Sequence, residues 1–376
     1  MFIRTARFFA YRNLAEVRLE LEDGFNVFAG RNGQGKTNLL EGLYLLAMPR
    51  SFRAGRFADW VMTGAEQGAV QCTLATGHGD LALALQLEGG RRSWFLDDQR
   101  VAGVAEIAAH LKIVFFGPED LKLIKGGPEE RRRFLDRAAY REDPAHLERV
   151  QVYRELLSQR NTLLREFGIG RLPAGLLESY EEQLIRRGAE LTATRARLAA
   201  DLGAEIAGYW AGVQAVSGGS VTLRYRSGYG FEPEGMDAGT LLAATEESLA
   251  RARAEDMARA GTSVGPHLDD LEIRFDDHPA RVHASQGQIR SLAAALRMGE
   301  LILWRRRQGE APILMMDDLS SELDRDHYRV IMEGVRAHAG QVILTTTTPK
   351  YVLQNTEAAL FHVYEGRVER DATEEA

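Results

Sequence analysis

Hydrophobic and polar residues alternate through much of the first hundred positions, as is typical of β-strands. Two alternating runs, at 2–14 and 17–21, precede a short apolar run at 24–29. Three further runs follow and are separated by turns rich in glycine and aspartate, which predicts an antiparallel meander at 69–75, 81–87 and 92–97. Between these groups, residues 38–47 repeat their apolar positions at the spacing of an amphipathic helix. The first part of the chain is therefore expected to be an α/β lobe.

From about residue 118 the apolar spacing becomes that of long helices, predicted at 128–142, 145–167 and 176–214. Leucine recurs at every seventh position of the last helix, which is typical of a helical hairpin or a short coiled-coil seam: Leu177, Leu184, Leu191 and Leu198. A 24-residue helix is only about 36 Å long, so these helices predict a compact arm.

A strand at 221–226 is expected to return the chain to the first lobe, and a helix at 240–260 follows it. Two more strands are predicted towards the end of the sequence, at the apolar runs 312–316 and 341–344. We therefore predict an α/β head made of residues 1–117 and 219–376, interrupted by a helical arm at 118–218.

Composition excludes several classes of protein. A chain of 376 residues, 45% hydrophobic and 27% charged, is ordinary for a globular protein of two or three domains. Its single cysteine, Cys72, excludes an internal disulfide framework. The first residues lack the apolar core of a signal peptide, and no apolar run is long enough to span a bilayer, so we expect a cytoplasmic protein. A net charge of −7 gives no overall attraction to nucleic acid, so DNA binding would require local basic patches.

Residues 30–37 satisfy the pattern G-x-x-x-x-G-K-[ST] between a predicted strand and a predicted helix, which is the context of a phosphate-binding loop. Its glycines let consecutive N–H groups face one anion, with the positive end of the helix dipole behind them. Lys36 would reach the β- and γ-phosphates of ATP, and the Thr37 hydroxyl would bind Mg²⁺. The predicted nucleotide-binding residues are Gly30, Arg31, Asn32, Gly33, Gln34, Gly35, Lys36, Thr37 and Asn38.

The apolar run at 312–316 ends in two carboxylates, as a Walker B strand does. Asp317 is expected to hold Mg²⁺, and Asp318 to polarise the attacking water as general base, with Glu322 as the next candidate. The strand after it ends in a run of threonine hydroxyls from Thr345, which would lie at the carboxyl edge of a parallel sheet and sense the γ-phosphate.

A Ser-Gln-Gly-Gln sequence at 285–288 opens a strongly predicted helix and allows two interpretations. Ser285 is either only a helix cap, or part of an ABC-type signature motif in which Ser285, Gly287 and Gln288 bind the γ-phosphate of ATP held by another subunit. The motif precedes the Walker B strand by about 25 residues, and Ser-Ser-Glu-Leu-Asp follows that strand at 320–324. This order favours the signature, and with it an ATP-dependent homodimer.

A basic cluster opens the arm and is a candidate surface for double-stranded DNA: Lys122, Lys125, Arg131, Arg132 and Arg133. Glu129 and Glu130 lie beside it, so the alternative is a solvated helix face.

Together these motifs resemble the RecF family, the SMC-like ATPases of bacterial recombinational DNA repair. The similarity runs through nearly the whole chain, in the segments 32–46, 50–53, 118–121, 125–136, 159–164, 265–271, 285–288 and 317–324 and in the threonine run at 345–348. Two departures from the family pattern are Leu268, where arginine is expected, and Pro349 directly after the threonines.

The resemblance implies an ABC/SMC-type P-loop ATPase head, a mixed sheet flanked by an antiparallel sheet, which is split by the helical arm. It also implies an ATP-dependent dimer that binds duplex DNA at gaps or junctions, hydrolyses ATP slowly in response to DNA, and works with RecR and RecO to place RecA at single-strand gaps.

Three other functions remain open. An ABC transporter ATPase shares these motifs but needs far fewer than the roughly 250 residues between Lys36 and Ser285. A long-coil SMC machine needs a longer arm than about 100 residues. A P-loop kinase would leave Ser285 and the 320–324 segment without a role.

Overall fold

The computed structural model describes residues 1–53, 57–167, 175–318, 325–354 and 356–371, with residues 167 and 351 described by their backbone only. These residues form two compact units. The first contains Met1–Leu121, Gly208–Gly218 and Ser285–Ala376, and the second contains Lys122–Ala207 and Gly219–Ala284.

The strands are β1 Phe2–Tyr11, β2 Leu14–Glu20, β3 Phe25–Ala29, β4 Gln67–Thr76, β5 Gly79–Glu88, β6 Arg91–Leu96, β7 Gln99–Arg100, β8 Ile113–Phe116, β9 Val221–Arg226, β10 Asp270–Phe275, β11 His278–Pro279, β12 Ile313–Asp317, β13 Val342–Thr346, β14 Ala358–Tyr364 and β15 Arg367–Arg370. The helices are α1 Lys36–Ala47, α2 Val104–His110, α3 Leu121–Lys125, α4 Pro128–Glu142, α5 His146–Phe167, α6 Leu176–Ser217, α7 Ala238–Arg259, α8 Ala280–His283, α9 Gln286–Gln308, α10 Arg325–His338 and α11 Pro349–Leu353.

An antiparallel sheet with the order β2-β1-β4-β5-β6-β7 forms one layer of the first unit. Its strands alternate as their sequence predicts: in β1, Ile3, Ala6 and Phe8 are buried while Arg7 and Phe9 are exposed. Cys72 lies on the buried face of β4, and burial raises the pKa of its thiol to about 12. The thiol is therefore a packing group and not a reactive one.

The second sheet of this unit has the order β15-β14-β3-β13-β12-β8, with β15 antiparallel and the other five strands parallel. All five residues of β12 and of β13 are buried, because α9 and α10 pack against the sheet through Met298, Leu301 and Ile331. Parallel pairing brings the carboxyl ends of β3, β12 and β13 to one edge. This is the edge at which the phosphate loop begins.

The second unit contains α4, α5, α7, most of α6 and the sheet β9-β10-β11. The heptad leucines of α6 form its core, where Leu184 and Leu191 pack with Tyr153 and Leu156 of α5 and with Leu249 of α7. The leucine repeat of α6 therefore packs against the neighbouring helices α5 and α7.

The predicted strand–loop–helix order, the meander and the three long helices are confirmed, and α4 has the predicted bounds. The predicted division into a head and an arm at residues 118 and 218 stays a prediction. The compact units differ from it at Gly219–Ala284, since β9 pairs with β10 inside the second unit and does not lead back to the sheets of the first. No helix in the described ranges is long and apolar enough to cross a membrane.

Candidate nucleotide site

The phosphate loop leaves β3 at Gly30, where the backbone is confined between two strands. The Gly30 N–H donates to the Thr346 carbonyl at 3.2 Å, and a Cβ at Gly30 would lie 2.2 Å from the Val363 carbonyl oxygen. Gly35 precedes α1 with φ at 116°, a conformation that side chains rarely adopt. Both glycines are therefore required by the course of the chain.

Lys36 folds back into the curve of this loop. Its Nζ donates to the carbonyl of Gly30 at 2.6 Å and to that of Arg31 at 3.0 Å, and the side chain is buried. Burial lowers the pKa of Lys36, against the opposing effect of the Asp318 and Asp317 carboxylates. The ammonium group thus lies against the backbone of the loop that would bind the phosphates.

Asp317, the last residue of β12, accepts two hydroxyl hydrogen bonds at one oxygen. Its Oδ1 lies 3.1 Å from Thr37 Oγ1 and 2.6 Å from Thr345 Oγ1. Burial raises the pKa of Asp317; the two hydroxyl bonds lower it, and the charge of Asp318 raises it further. A threonine hydroxyl beside a carboxylate is an oxygen pair that fits Mg²⁺, which usually takes one or two protein ligands and completes its shell with water and phosphate oxygens.

Asp318 follows directly and has φ at 43°, in the left-handed region that aspartate tolerates better than most residues. Its N–H donates to Thr345 Oγ1 at 3.0 Å, so Thr345 holds both the backbone of Asp318 and the side chain of Asp317. The predicted threonine strand therefore does lie beside the Walker B strand. Glu322 and the rest of the 320–324 segment lie outside the described residues.

A polar network that the sequence did not predict lies beside the loop. Arg12, at the turn between β1 and β2, donates to both oxygens of buried Glu41 at 2.7 and 2.8 Å, and Ser51 donates to Glu41 at 2.6 Å. Asn38 donates to Asn13 at 2.7 Å and accepts from Arg53 at 2.8 Å. The one sign of this network in the sequence was the position of Glu41 among the apolar residues of α1.

The turn between β14 and β15 holds the loop from its other side. The Glu365 N–H donates to Gln34 Oε1 at 2.6 Å, and the Gly366 N–H donates to the Gln34 carbonyl at 2.9 Å. Gln34 is thus a supporting residue of the loop, with its side chain bound to the far end of the chain.

Ser285 is the N-cap of α9. Its Oγ accepts from the Gln288 N–H at 3.3 Å, and Gln288 Oε1 accepts from the Ser285 N–H at 2.8 Å, a reciprocal capping box. Ser285 is exposed, while Gly287 and Gln288 are half-buried. The cap is confirmed; the signature role of these three residues stays a prediction.

Helix α9 connects Ser285 to the neighbourhood of the phosphate site. Arg297, on the same helix, donates to Asp120 at 2.6 Å, and Asp120 accepts from the N–H of Gly117, a residue packed beside Asp317. Twelve residues separate Ser285 from Arg297, which is about 18 Å along a helix. Along α9, Ser285 is therefore about 18 Å from the residue whose partner, Asp120, bonds Gly117 beside Asp317.

The basic cluster divides into buried and exposed side chains. Arg131 is buried and donates to both oxygens of Asp270 at 2.7 and 3.0 Å, and Arg132 donates to the Asp269 carbonyl at 2.7 Å. Arg133 is exposed and pairs with Glu129 and Glu130. Lys122 and Lys125 are exposed. Arg131 is thus committed to the interior of the second unit, and the predicted DNA surface now depends on the exposed members.

The segment 265–271 is largely internal. The Nε2 of His267 donates to the Thr262 carbonyl at 3.2 Å, so its Nδ1 accepts from the Tyr153 hydroxyl at 2.9 Å. Asp269 accepts from Arg195 at 2.9 Å. Leu268, which stands where the family pattern has arginine, is 48% exposed, so an apolar side chain faces solvent between half-buried His267 and buried Asp269.

Comparison with known proteins agrees with this arrangement. Residues 2–369 match the model of the RecF/RecN/SMC N terminal domain. The chain is 37% identical over 366 residues to the DNA replication and repair protein RecF of Anaeromyxobacter dehalogenans (strain 2CP-1 / ATCC BAA-258), covering 95% of this chain and 96% of the relative. It is 34% identical over 378 residues to the protein of the same name from Symbiobacterium thermophilum, covering 99% of each.

Among solved structures, the recombination mediator protein RecF with ATP, of the RecFOR pathway, superimposes with a TM-score of 0.88 at 28% identity, over 99% of this chain and 98% of that one. An Smc head bound to the C-winged helix domain of ScpA has a TM-score of 0.56 at 17% identity, over 100% and 98% of the two chains, and shows a likeness of fold. The predicted α/β head with mixed and antiparallel sheets and a helical insertion is thereby confirmed. From the family match and the near-complete coverage of its relatives, this chain belongs to the RecF family of the RecF/RecN/SMC proteins.

Proposed function

We propose that this chain is an ATP-dependent DNA-binding protein of DNA replication and recombinational repair, and a slow, DNA-stimulated ATPase. It dimerises on duplex DNA at gaps or junctions when it binds ATP, and it assists the loading of RecA together with RecR and RecO. One observation carries the proposal: Lys36, Thr37 and Asp317 converge at one edge of the sheet, while Ser285 lies about 18 Å along α9 from Arg297, whose partner Asp120 is bonded to Gly117 near that edge. We infer that Ser285 belongs to a second half-site, which the phosphate loop of another subunit completes.

The residues divide the work of the proposed site. Backbone amides of residues 30–38 and the Lys36 ammonium bind the phosphates, and Thr37 with Asp317 holds Mg²⁺, which neutralises phosphate charge when bound. Asp318 accepts a proton from the attacking water as general base. Ser285, Gly287 and Gln288 of the other subunit face the γ-phosphate.

The relatives support this proposal over the alternatives. RecF proteins named for DNA replication and repair match the chain through its helical insertion as well as its head. A transporter subunit or a small-molecule kinase has no use for that insertion. A solved RecF structure is described with ATP, which supports ATP as the nucleotide here.

Two inactive variants should restore activity to each other. Ser285→Arg should bind ATP as a monomer but fail to dimerise, because a bulky side chain replaces the hydroxyl that faces the opposing loop. Mixed with Lys36→Ala, it should regain up to about half of the normal ATPase activity per dimer, since one composite site of two then has an intact Lys36 and an intact Ser285. ATP hydrolysis and sedimentation, with and without duplex DNA, measure both effects.

Thr240→Arg, an exposed position in the second unit, is the control for a new surface arginine. ATP-independent dimerisation of the Ser285 variant, with no activity in the mixture, would mean that Ser285 is only the helix cap.

Charge reversal should separate the two halves of the basic cluster. Changing Lys122, Lys125 and Arg133 to glutamate should weaken duplex binding and reduce the slope of log affinity against log salt by about 0.9 for each phosphate that the variant no longer neutralises. Arg131→Glu should instead lower Tm, because it leaves Asp270 without its buried partner. Fluorescence anisotropy over a salt series and thermal denaturation measure these effects, with Arg186→Glu as an exposed control. Equal salt slopes for the triple variant and the parent would remove these three residues from the DNA surface.

A further inference from the structure

Two residues outside every motif converge on the first turns of α9. Ser217, the last residue of α6, accepts a hydrogen bond at its carbonyl from Gln288 Nε2 at 3.1 Å, and its hydroxyl donates to Ser291 Oγ at 2.9 Å. His327 Nε2, on α10, lies 3.1 Å from the same Ser217 hydroxyl. Because the hydroxyl proton is given to Ser291, Nε2 carries its own proton and donates to Ser217.

The cluster is closed to water at its centre. Ser217 is 7% exposed and Ser291 is 1% exposed, so water would not readily replace a hydrogen bond lost there. The His327 ring also lies near Gly287, since a Cβ added at that glycine would be 3.8 Å from His327 Cε1. His327 is therefore bonded to Ser217, which supports the signature segment at 285–288, and lies near the segment itself.

Gln288 connects this cluster to Ser285. Its Nε2 is held by Ser217, while its Oε1 accepts from the Ser285 N–H at 2.8 Å. A side chain fixed at both ends fixes the backbone of Ser285 as well. The orientation of the exposed Ser285 hydroxyl thus depends on Ser217, and through Ser217 on His327.

We propose that His327 and Ser217 are positioning residues that hold Ser285 and Gly287 in the orientation needed to face the γ-phosphate in the opposing subunit. This inference rests on the composite site of the proposed function. Neither residue touches the nucleotide bound by its own chain. His327 and Ser217 therefore affect the composite site to which their own chain contributes residues 285–288.

Mixed dimers with a single working site test the inference. In the mixture, the Lys36→Ala chain is the first chain and the Ser285→Arg chain is the second chain. The working site takes Lys36 from the second chain and residues 285–288 from the first. Adding His327→Ala to the first chain should lower ATPase activity about tenfold, the effect of removing one hydrogen bond to a buried hydroxyl. Adding it to the second chain, whose signature is already inactive, should change activity less than about twofold.

His327→Gln on the first chain should restore most of the activity, because the glutamine amide can donate to the Ser217 hydroxyl. His338→Ala, in the last turn of α10, is the control of the same residue type and should have no effect in either chain. The Kd for ATP of the Ser285→Arg chain carrying His327→Ala should stay within about twofold of that of the Ser285→Arg chain, because His327 bonds to Ser217 and not to the phosphate loop.

Three results would overturn the inference. Equal loss of activity from both placements would make His327 a general structural residue, and loss only from the second chain would assign it to its own Walker B half-site. An inactive parent mixture, before any change at His327, would reject the composite site itself and the inference with it.

Discussion

Replacing Lys36 by alanine should abolish ATP binding at ordinary nucleotide concentrations. The ammonium contributes charge-assisted hydrogen bonds of roughly 1.5–3 kcal/mol each, so the removal of two should raise the Kd by about 10²–10⁴-fold. The fold should survive, because the hydrogen bonds of Lys36 go to the carbonyls of Gly30 and Arg31 in its own loop and its charge is costly to bury. Isothermal titration calorimetry with a slowly hydrolysed ATP analogue measures the affinity, and thermal denaturation measures the fold.

Lys350→Ala, an exposed lysine in the same unit, is the control and should bind ATP like the parent. Unchanged ATP affinity in the Lys36 variant would reject the phosphate loop as the nucleotide site.

Asp318→Asn should bind Mg-ATP normally and hydrolyse it about 10²–10⁴-fold more slowly, which is the usual contribution of a general base. Thr37 and Asp317 remain to hold the metal, and asparagine accepts the φ of 43° that Asp318 adopts, so the backbone is undisturbed. The variant should accumulate as an ATP-bound dimer on duplex DNA. Single-turnover hydrolysis and sedimentation with DNA measure the two effects.

Asp80→Asn, the same substitution at an exposed pair on β5, is the control. A normal hydrolysis rate in the Asp318 variant would show that another residue positions the water, and Glu322 is then the next to change.

Local patterns predicted the parts of the site that are continuous in sequence. The loop from Gly30 to Thr37 and the carboxylates after β12 follow from strand, turn and helix signals that each span a few residues. Strand β8 and the hairpin β14–β15 were not predicted, because apolar runs of four to seven residues between turns do not by themselves distinguish a strand from a loop or a short helix.

The other side-chain roles depend on partners that are far away in the sequence. Arg131 belongs to a run of arginines and glutamates that is typical of a solvated helix, yet it is buried and its carboxylate partner is Asp270, 139 positions away. Arg12 and Glu41 pair across 29 positions, and His327 reaches Ser217 across 110. No periodicity in the sequence carries such information, so these roles could be found only from the structure.

The pairing of β3 has a consequence for how the protein is made on the ribosome. Its two neighbours, β13 and β14, lie more than 300 residues further along the chain, and the turn that holds Gln34 follows β14. At 5–20 residues per second, roughly 15–60 s pass between the synthesis of β3 and that of its partners. Until then β3 exposes two unpaired edges, and the loop from Gly30 to Thr37 lacks its bonds to Thr346 and to the turn after β14. The nascent chain therefore cannot complete its phosphate loop until more than 300 further residues have been translated.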